Sequence, residues 1–320
     1  CCLSRLRPAA MRIAAGIHSV QEEYNMFEPR GIIAAMATPF FEDESINWDE
    51  LRSQVNRFID AGIHGLFCLG TNGESFALSF DEKVKIMETV ICENRGRLPV
   101  YAGTGCITTR ETIELTQAAK ALGADCASVI CPYFAESSQD QLYGHFKAVA
   151  EGADIPIVLY NIPARTGVNL THQTVKRLAS IPNIVGIKDS SGNFDNILRY
   201  IEETRSIEGK TFRVVSGNDS LILWTLLAGG SGGISGVSNV LPGIMASIYD
   251  LWLKGDLEEA RRAQDSIRPL RDCMKLGNPN SIIKRAANLR GEKLGPCRAP
   301  FNLASEVVDR AILDVLKLYA

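Results

Sequence analysis

The 320-residue chain lacks most of the signatures that disclose a function on inspection. It contains neither GxGxxG nor GxxxxGK, which removes the glycine loops that cradle dinucleotides and nucleotide phosphates. It has no CxxC pair and no HExxH, and His18, His64, His145 and His172 lie far apart, so no metal site is legible. There is no long Lys/Arg run: 34 Lys+Arg stand against 37 Asp+Glu, a net charge of −3, and the electrostatic term that dominates nucleic-acid binding is missing. Nine cysteines, an odd count without paired spacing, read as buried thiols of a cytoplasmic protein. No charge falls between Asp219 and Asp250, yet Gly229, Gly230, Gly232, Gly233, Gly236, Pro242 and Gly243 interrupt that stretch. It is therefore read as buried core and not as a membrane span.

What is present is a repeating pattern of short apolar runs and longer helix-period stretches. The apolar runs are Gly31 to Ala37, His64 to Leu69, Pro99 to Ala102, Cys126 to Ile130, Pro156 to Tyr160, Asn183 to Ile187, Phe212 to Val215 and Gly232 to Ser235. Between them, stretches such as Trp48 to Ala61, Ser79 to Asn94, Thr108 to Leu122 and Gln139 to Glu151 carry apolar residues at helical spacing. Near-continuous apolar strands imply burial on both faces, as parallel sheets require, and eight βα units close into an α/β fold, the (β/α)8 TIM barrel. A doubly wound open sheet is the competing architecture, and it wants one of the glycine motifs that are missing.

Beyond Asp250 the sequence reads as helices only, Leu257 to Arg271, Pro279 to Leu289 and Ser305 to Leu318. The first 25 residues carry Arg5, Arg7 and Arg12 and no acidic residue before Glu22; Arg12 breaks the apolar stretch that a secretory signal needs. A transit-peptide reading competes with that of a plain extension. The expected organisation is a disordered N-terminal extension over residues 1–25, a barrel over 26–250 and a C-terminal helical appendage over 251–320.

Catalytic groups of such barrels sit at the C-terminal ends of strands, so the residues closing each run are the candidates. Lys188 follows Ile184-Val185-Gly186-Ile187 directly; an amine there can add to a ketone and form a Schiff base, although a lysine snorkelling to solvent has the same local sequence. Tyr160 ends the neighbouring run with a phenol able to carry protons, and Thr71 offers a hydroxyl to hydrogen-bond it. Arg165 supplies a fork for a carboxylate, and the Gly70 to Gly73 turn offers backbone N–H groups to an anion or serves as a tight loop.

Three motifs in this order, GTNGES from Gly70, YNIPARTG from Tyr160 and GIKDSSGN from Gly186, with AGTG from Ala102, resemble the dihydrodipicolinate synthase / N-acetylneuraminate lyase family of Schiff-base barrel enzymes. The resemblance covers the chain from about Met26 to its end. It implies that Lys188 forms an imine with pyruvate, that Tyr160 shuttles protons with Thr71 in relay, that backbone groups around Thr71 and Asn72 hold the pyruvate carboxylate, and that Ile234 is a further substrate-binding position. It also implies a homotetramer, with pyruvate and a small aldehyde or 2-oxo acid as partners; the sequence itself gives no support for a metal or an organic cofactor.

Arg165 matches the position that binds the carboxylate of aspartate semialdehyde, which favours condensation of pyruvate with that aldehyde, the dihydrodipicolinate synthase activity. Tyr133 and Phe134 fall on pocket or subunit-interface positions, but Phe134 replaces a relay tyrosine, and Asn72 replaces a second threonine. Phe80, Lys83 and Ile107 replace the polar groups of a lysine-feedback pocket, of which only Tyr133 and Glu111 look retained. These departures keep open an aldolase or dehydratase acting on 2-oxo-3-deoxy sugar acids or 4-hydroxy-2-oxoglutarate. A non-catalytic barrel that binds 2-oxo acids is the third reading.

Overall fold

The computed structural model describes residues 27–207, 209–302 and 305–319, so the reading of residues 1–25 as a disordered extension, and its boundary at Met26, lie outside the described residues. All eight apolar runs are strands: β1 Gly31–Ala35, β2 Gly65–Cys68, β3 Val100–Gly103, β4 Cys126–Ile130, β5 Ile157–Asn161, β6 Ile184–Asp189, β7 Arg213–Ser216 and β8 Gly232–Ser235. They pair in sequence order, all parallel, and β8 returns to β1 through Gly31 opposite Gly232 to Ala34 opposite Ser235, closing the barrel.

Two ends depart from the sequence reading by two residues, for local reasons. β1 stops at Ala35, and the Ala37 N–H goes to the Asn239 side chain at 2.9 Å. β6 runs two residues past Ile187 to include Lys188 and Asp189. Polar residues can continue this strand because Asp189 finds donors in Asn161, at 2.8 Å, and Asn196, at 3.0 Å.

The barrel interior is filled by Ile33, Phe67, Tyr101, Cys126, Val158, Val185, Val215 and Ile234, with Phe27 edge-on to Tyr101 at 5.5 Å. Around it lie α1 Trp48–Asp60, α2 Phe80–Asn94, α3 Thr109–Leu122, α4 Gln139–Gly152, α5 His172–Ala179, α6 Phe194–Thr204, α7 Ile222–Leu227 and α8 Pro242–Leu253. The starts of α1 to α6 follow from side-chain caps: Ser79 and Ser138 each close a capping box, with Glu82 and Gln141 respectively. The uncharged stretch before Asp250 folds as α7, β8, the turn Val237–Asn239 and α8, and no described helix is long and apolar enough to cross a membrane.

After α8 come α9 Leu257–Ser266, α10 Arg268–Cys273, α11 Pro279–Leu289 and α12 Glu306–Leu316. The expected single helix from Leu257 to Arg271 is broken at Ile267, because Pro269 in the first turn of α10 has no N–H to continue the ladder. Helix α11 buries Ile282, Ile283, Ala286 and Ala287 in the same apolar cluster as Met245 and Ile248 of α8. It thereby returns the C-terminal region to the barrel.

Candidate active site

Lys188 reaches the barrel interior because β6 is irregular. Side chains alternate along a strand, so an inward Val185 would be followed by an inward Ile187 and an outward Lys188. The pairing of β5 with β6 instead shifts register between Ile157, opposite Ile184, and Val158, opposite Gly186. The extra residue reverses the phase, and Lys188 stands opposite Tyr160 on the inward side. Its Nζ lies 3.8 Å from the centroid of the Tyr160 ring and 5.1 Å from that of Phe67. Gly217 makes room for the lysine, since a Cβ there would stand 2.8 Å from Lys188 Cε and overlap Ser190 Oγ, while on the strand itself a Cβ on Gly186 would stand 2.5 Å from the Arg213 carbonyl oxygen.

Tyr160, buried on β5, places its Oη 2.9 Å from Thr71 Oγ1, and either hydroxyl can donate. Thr71 belongs to the loop after β2, which is bracketed by two non-glycine residues in the left-handed region, Leu69 at φ 61° and Glu74 at φ 52°. Such backbone is held only where the surroundings over-determine it, and it gathers at functional sites. Here Thr38 Oγ1 donates to the Gly73 carbonyl at 2.6 Å and Asn280 Nδ2 donates to the Thr71 carbonyl at 2.8 Å.

Thr71 and Tyr160 line the inner part of a two-part cavity, and Lys188 lies behind its aromatic walls. A slot of about 20 Å³ is walled by Phe67, Gly70, Thr71, Ser128, Ile130 and Tyr160, and Lys188 Nζ lies against the two aromatic walls. Thr71, Ser75 and Ile130 are shared with an outer cavity of about 210 Å³, whose polar lining includes Tyr133, Arg165, Asn278 and Asn280. Burial pushes the Tyr133 phenol above its ordinary value, and the neighbouring Cys106 and Glu111 act in the same direction. On the outward face of β6, burial likewise raises Asp189, against the lowering effect of its Ser191, Asn161 and Asn196 hydrogen bonds.

The structure thus brings Lys188, Tyr160, Thr71, Arg165 and Tyr133 to one end of the barrel. The side chains of three other expected residues line neither cavity. Asn72 turns toward Gly236, where a Cβ would come within 2.6 Å of its Nδ2. Ile234 belongs to the interior apolar layer opposite Ile33, and Phe134 projects outward, 96% exposed at φ 76°. The sequence reading missed Ser128, Asn278 and Asn280. For the last two, the available signal was the Gly277-Asn278-Pro279-Asn280 segment, a loop opening directly into a helix whose first residue is Pro279.

Comparison with known proteins identifies the family. Residues 28–318 match the family model described as the dihydrodipicolinate synthetase family. A 4-hydroxy-tetrahydrodipicolinate synthase of Methanoculleus marisnigri is 40% identical over 91% of this chain and 99% of its own length. Among solved structures, the dihydrodipicolinate synthase of Thermotoga maritima superposes with a TM-score of 0.87 at 35% identity, covering 91% of this chain and 98% of that one. A chloride-inhibited dihydrodipicolinate synthase of Acinetobacter baumannii, solved with pyruvate, gives a TM-score of 0.86 at 34% identity over 90% of this chain and 98% of its own. A barrel closed in this order, a buried lysine beside a tyrosine–threonine pair and matches that span nearly the whole described chain place the protein in the dihydrodipicolinate synthetase family.

Proposed function

We propose that the protein is a pyruvate-dependent Schiff-base enzyme that condenses pyruvate with aspartate semialdehyde, the 4-hydroxy-tetrahydrodipicolinate synthase reaction. The observation that carries the reading is the packing of Lys188 Nζ against the Tyr160 ring while the Tyr160 hydroxyl holds that of Thr71. The Lys188 amine adds to the pyruvate ketone, water leaves, and the resulting iminium draws electrons from the methyl carbon. Tyr160, in relay with Thr71, moves the protons of carbinolamine collapse and of enamine formation. The enamine carbon then attacks the aldehyde, while Arg165 at the rim binds the aldehyde's carboxylate through paired hydrogen bonds.

Phe134 supports a second reading. With no hydroxyl to extend the relay, and with its ring 96% exposed, the same imine chemistry can serve an aldolase or dehydratase of 2-oxo-3-deoxy sugar acids or 4-hydroxy-2-oxoglutarate. We further propose a homotetramer in which this exposed Phe134 meets a neighbouring subunit, a state that sedimentation velocity measures directly.

The decisive assay mixes enzyme and pyruvate with each candidate in turn. Consumption of aspartate semialdehyde with at least about a hundredfold preference over the sugar-acid substrates supports the synthase, a ratio of about 3 kcal/mol in transition-state binding. Cleavage of the sugar acids with aspartate semialdehyde untouched establishes the second reading. A Lys188→Ala variant that still binds 2-oxo acids, in a chain with no turnover before the change, leaves only the non-catalytic barrel.

A further inference from the structure

Helix α11 grips the active-site loop at two points. Asn280 and Lys284, four residues apart, share one face of the helix. Asn280 donates to the Thr71 carbonyl at 2.8 Å, and Lys284 Nζ lies 2.6 Å from Glu74 Oε1. Thr71 and Glu74 are themselves the ends of one turn, closed by Glu74 N–H donating to the Thr71 carbonyl at 3.1 Å. Both ends of the turn that carries the relay hydroxyl are therefore held by the C-terminal region.

The lower grip is a buried ion pair: the side chains of Lys284 and Glu74 are 1% and 0% exposed. Each partner is further engaged. Lys284 donates to the Pro296 carbonyl at 2.9 Å and stands 4.2 Å from the Phe40 ring centroid, while Glu74 Oε2 accepts from the Arg298 N–H at 3.0 Å. Burying two charges costs desolvation that their attraction barely returns, so such a pair adds little stability over apolar residues of the same size. Its placement says more: it clamps Glu74, the left-handed residue three positions from Thr71.

We propose that α11 positions the Thr71 hydroxyl, Lys284 by fixing Glu74 and Asn280 by fixing the Thr71 carbonyl, so that Oγ1 stays in reach of Tyr160 Oη. Lys284 and Asn280 are then positioning residues for proton transfer, acting through Thr71. The inference rests on the reading of Lys188 and Tyr160 as imine-forming lysine and proton carrier.

The test follows exchange of the pyruvate methyl hydrogens with deuterated water by NMR, in the full chain. Exchange needs imine and enamine but no aldehyde. The paired variant Glu74→Gln/Lys284→Met removes both charges together, leaving neither buried alone, and Asn280→Ala removes the other grip with the ion pair intact, so it decides the matter if the paired variant does not fold. Each is expected to lower the exchange rate by about 10- to 100-fold while half-saturation by pyruvate moves less than about threefold. In a Thr71→Val background the same changes should cost less than about twofold more, because the hydroxyl they position is gone. Losses that multiply fully in that background, or exchange per folded molecule equal to that of the unchanged chain, overturn the proposal. An unchanged chain with neither exchange nor a pyruvate adduct on Lys188 overturns the underlying reading itself.

Discussion

Lys188 and Tyr160 are register partners on adjacent parallel strands, and Nζ of the lysine lies 3.8 Å from the ring centroid of the tyrosine. The phenol thus does two jobs, walling the lysine with its ring and presenting its hydroxyl to Thr71. Tyr160→Phe separates them. The ring and the slot remain, and turnover is expected to fall by roughly 10²- to 10⁴-fold, the range of general acid–base assistance, with the pyruvate KM nearly unchanged. Steady-state kinetics checks this, and an unaltered kcat would remove the tyrosine from the proton path.

Arg165 lines the outer cavity, away from the slot walled by Tyr160 and Phe67. Its loss is therefore expected to act on the second substrate alone. For Arg165→Ala the aldehyde's kcat/KM should fall by about 10- to 100-fold, the worth of about 1.5–3 kcal/mol for a charged hydrogen bond, while imine formation with pyruvate continues. Equal losses for both substrates would place the arginine's role in folding.

Stability should carry a pH signature from His145 on α4. Burial lowers its imidazole from 6.5 to about 4, while Thr109 Oγ1 lies 2.9 Å from Nδ1. Because the folded value is the lower one, the unfolded chain takes up the proton first as the medium is acidified. The neutral histidine's contribution is complete above about pH 6.5 and is lost as pH falls toward 4, by up to about 3 kcal/mol. Urea midpoints measured between pH 7 and pH 4.5 should fall for the unchanged chain and flatten for His145→Gln.

Lysine feedback is expected to be absent. Phe80 and Ile107 are apolar and 46% and 47% exposed, so neither offers the hydrogen bonds that a bound amino acid needs. Initial rates titrated with lysine should stay level through the low millimolar range. Half-inhibition there would show that Tyr133, Glu111 and Lys83 form a pocket without them.

The barrel was legible in the sequence because parallel strands buried on both faces leave continuous apolar runs, and each of the eight became a strand. The inward phase of Lys188 was not legible, since the shift at Ile157 and Val158 is a property of how two strands pair. The break at Ile267 had its cue in Pro269, which the helix-period pattern overrode. Asn280 could not be linked to Thr71 from local pattern: 209 residues separate them, and only the fold of the C-terminal helices onto the barrel brings them within a hydrogen bond. Asn72 stands beside Thr71 in sequence yet faces Gly236, because neighbours in a tight turn point in different directions.

Borohydride reduction in the presence of pyruvate, followed by peptide mass spectrometry, tests the central claim most directly. The account predicts a reduced pyruvate adduct on the peptide carrying Lys188, discharged when aspartate semialdehyde is added before the reductant. A chain that yields no adduct on Lys188 with pyruvate or any other 2-oxo acid would contradict it.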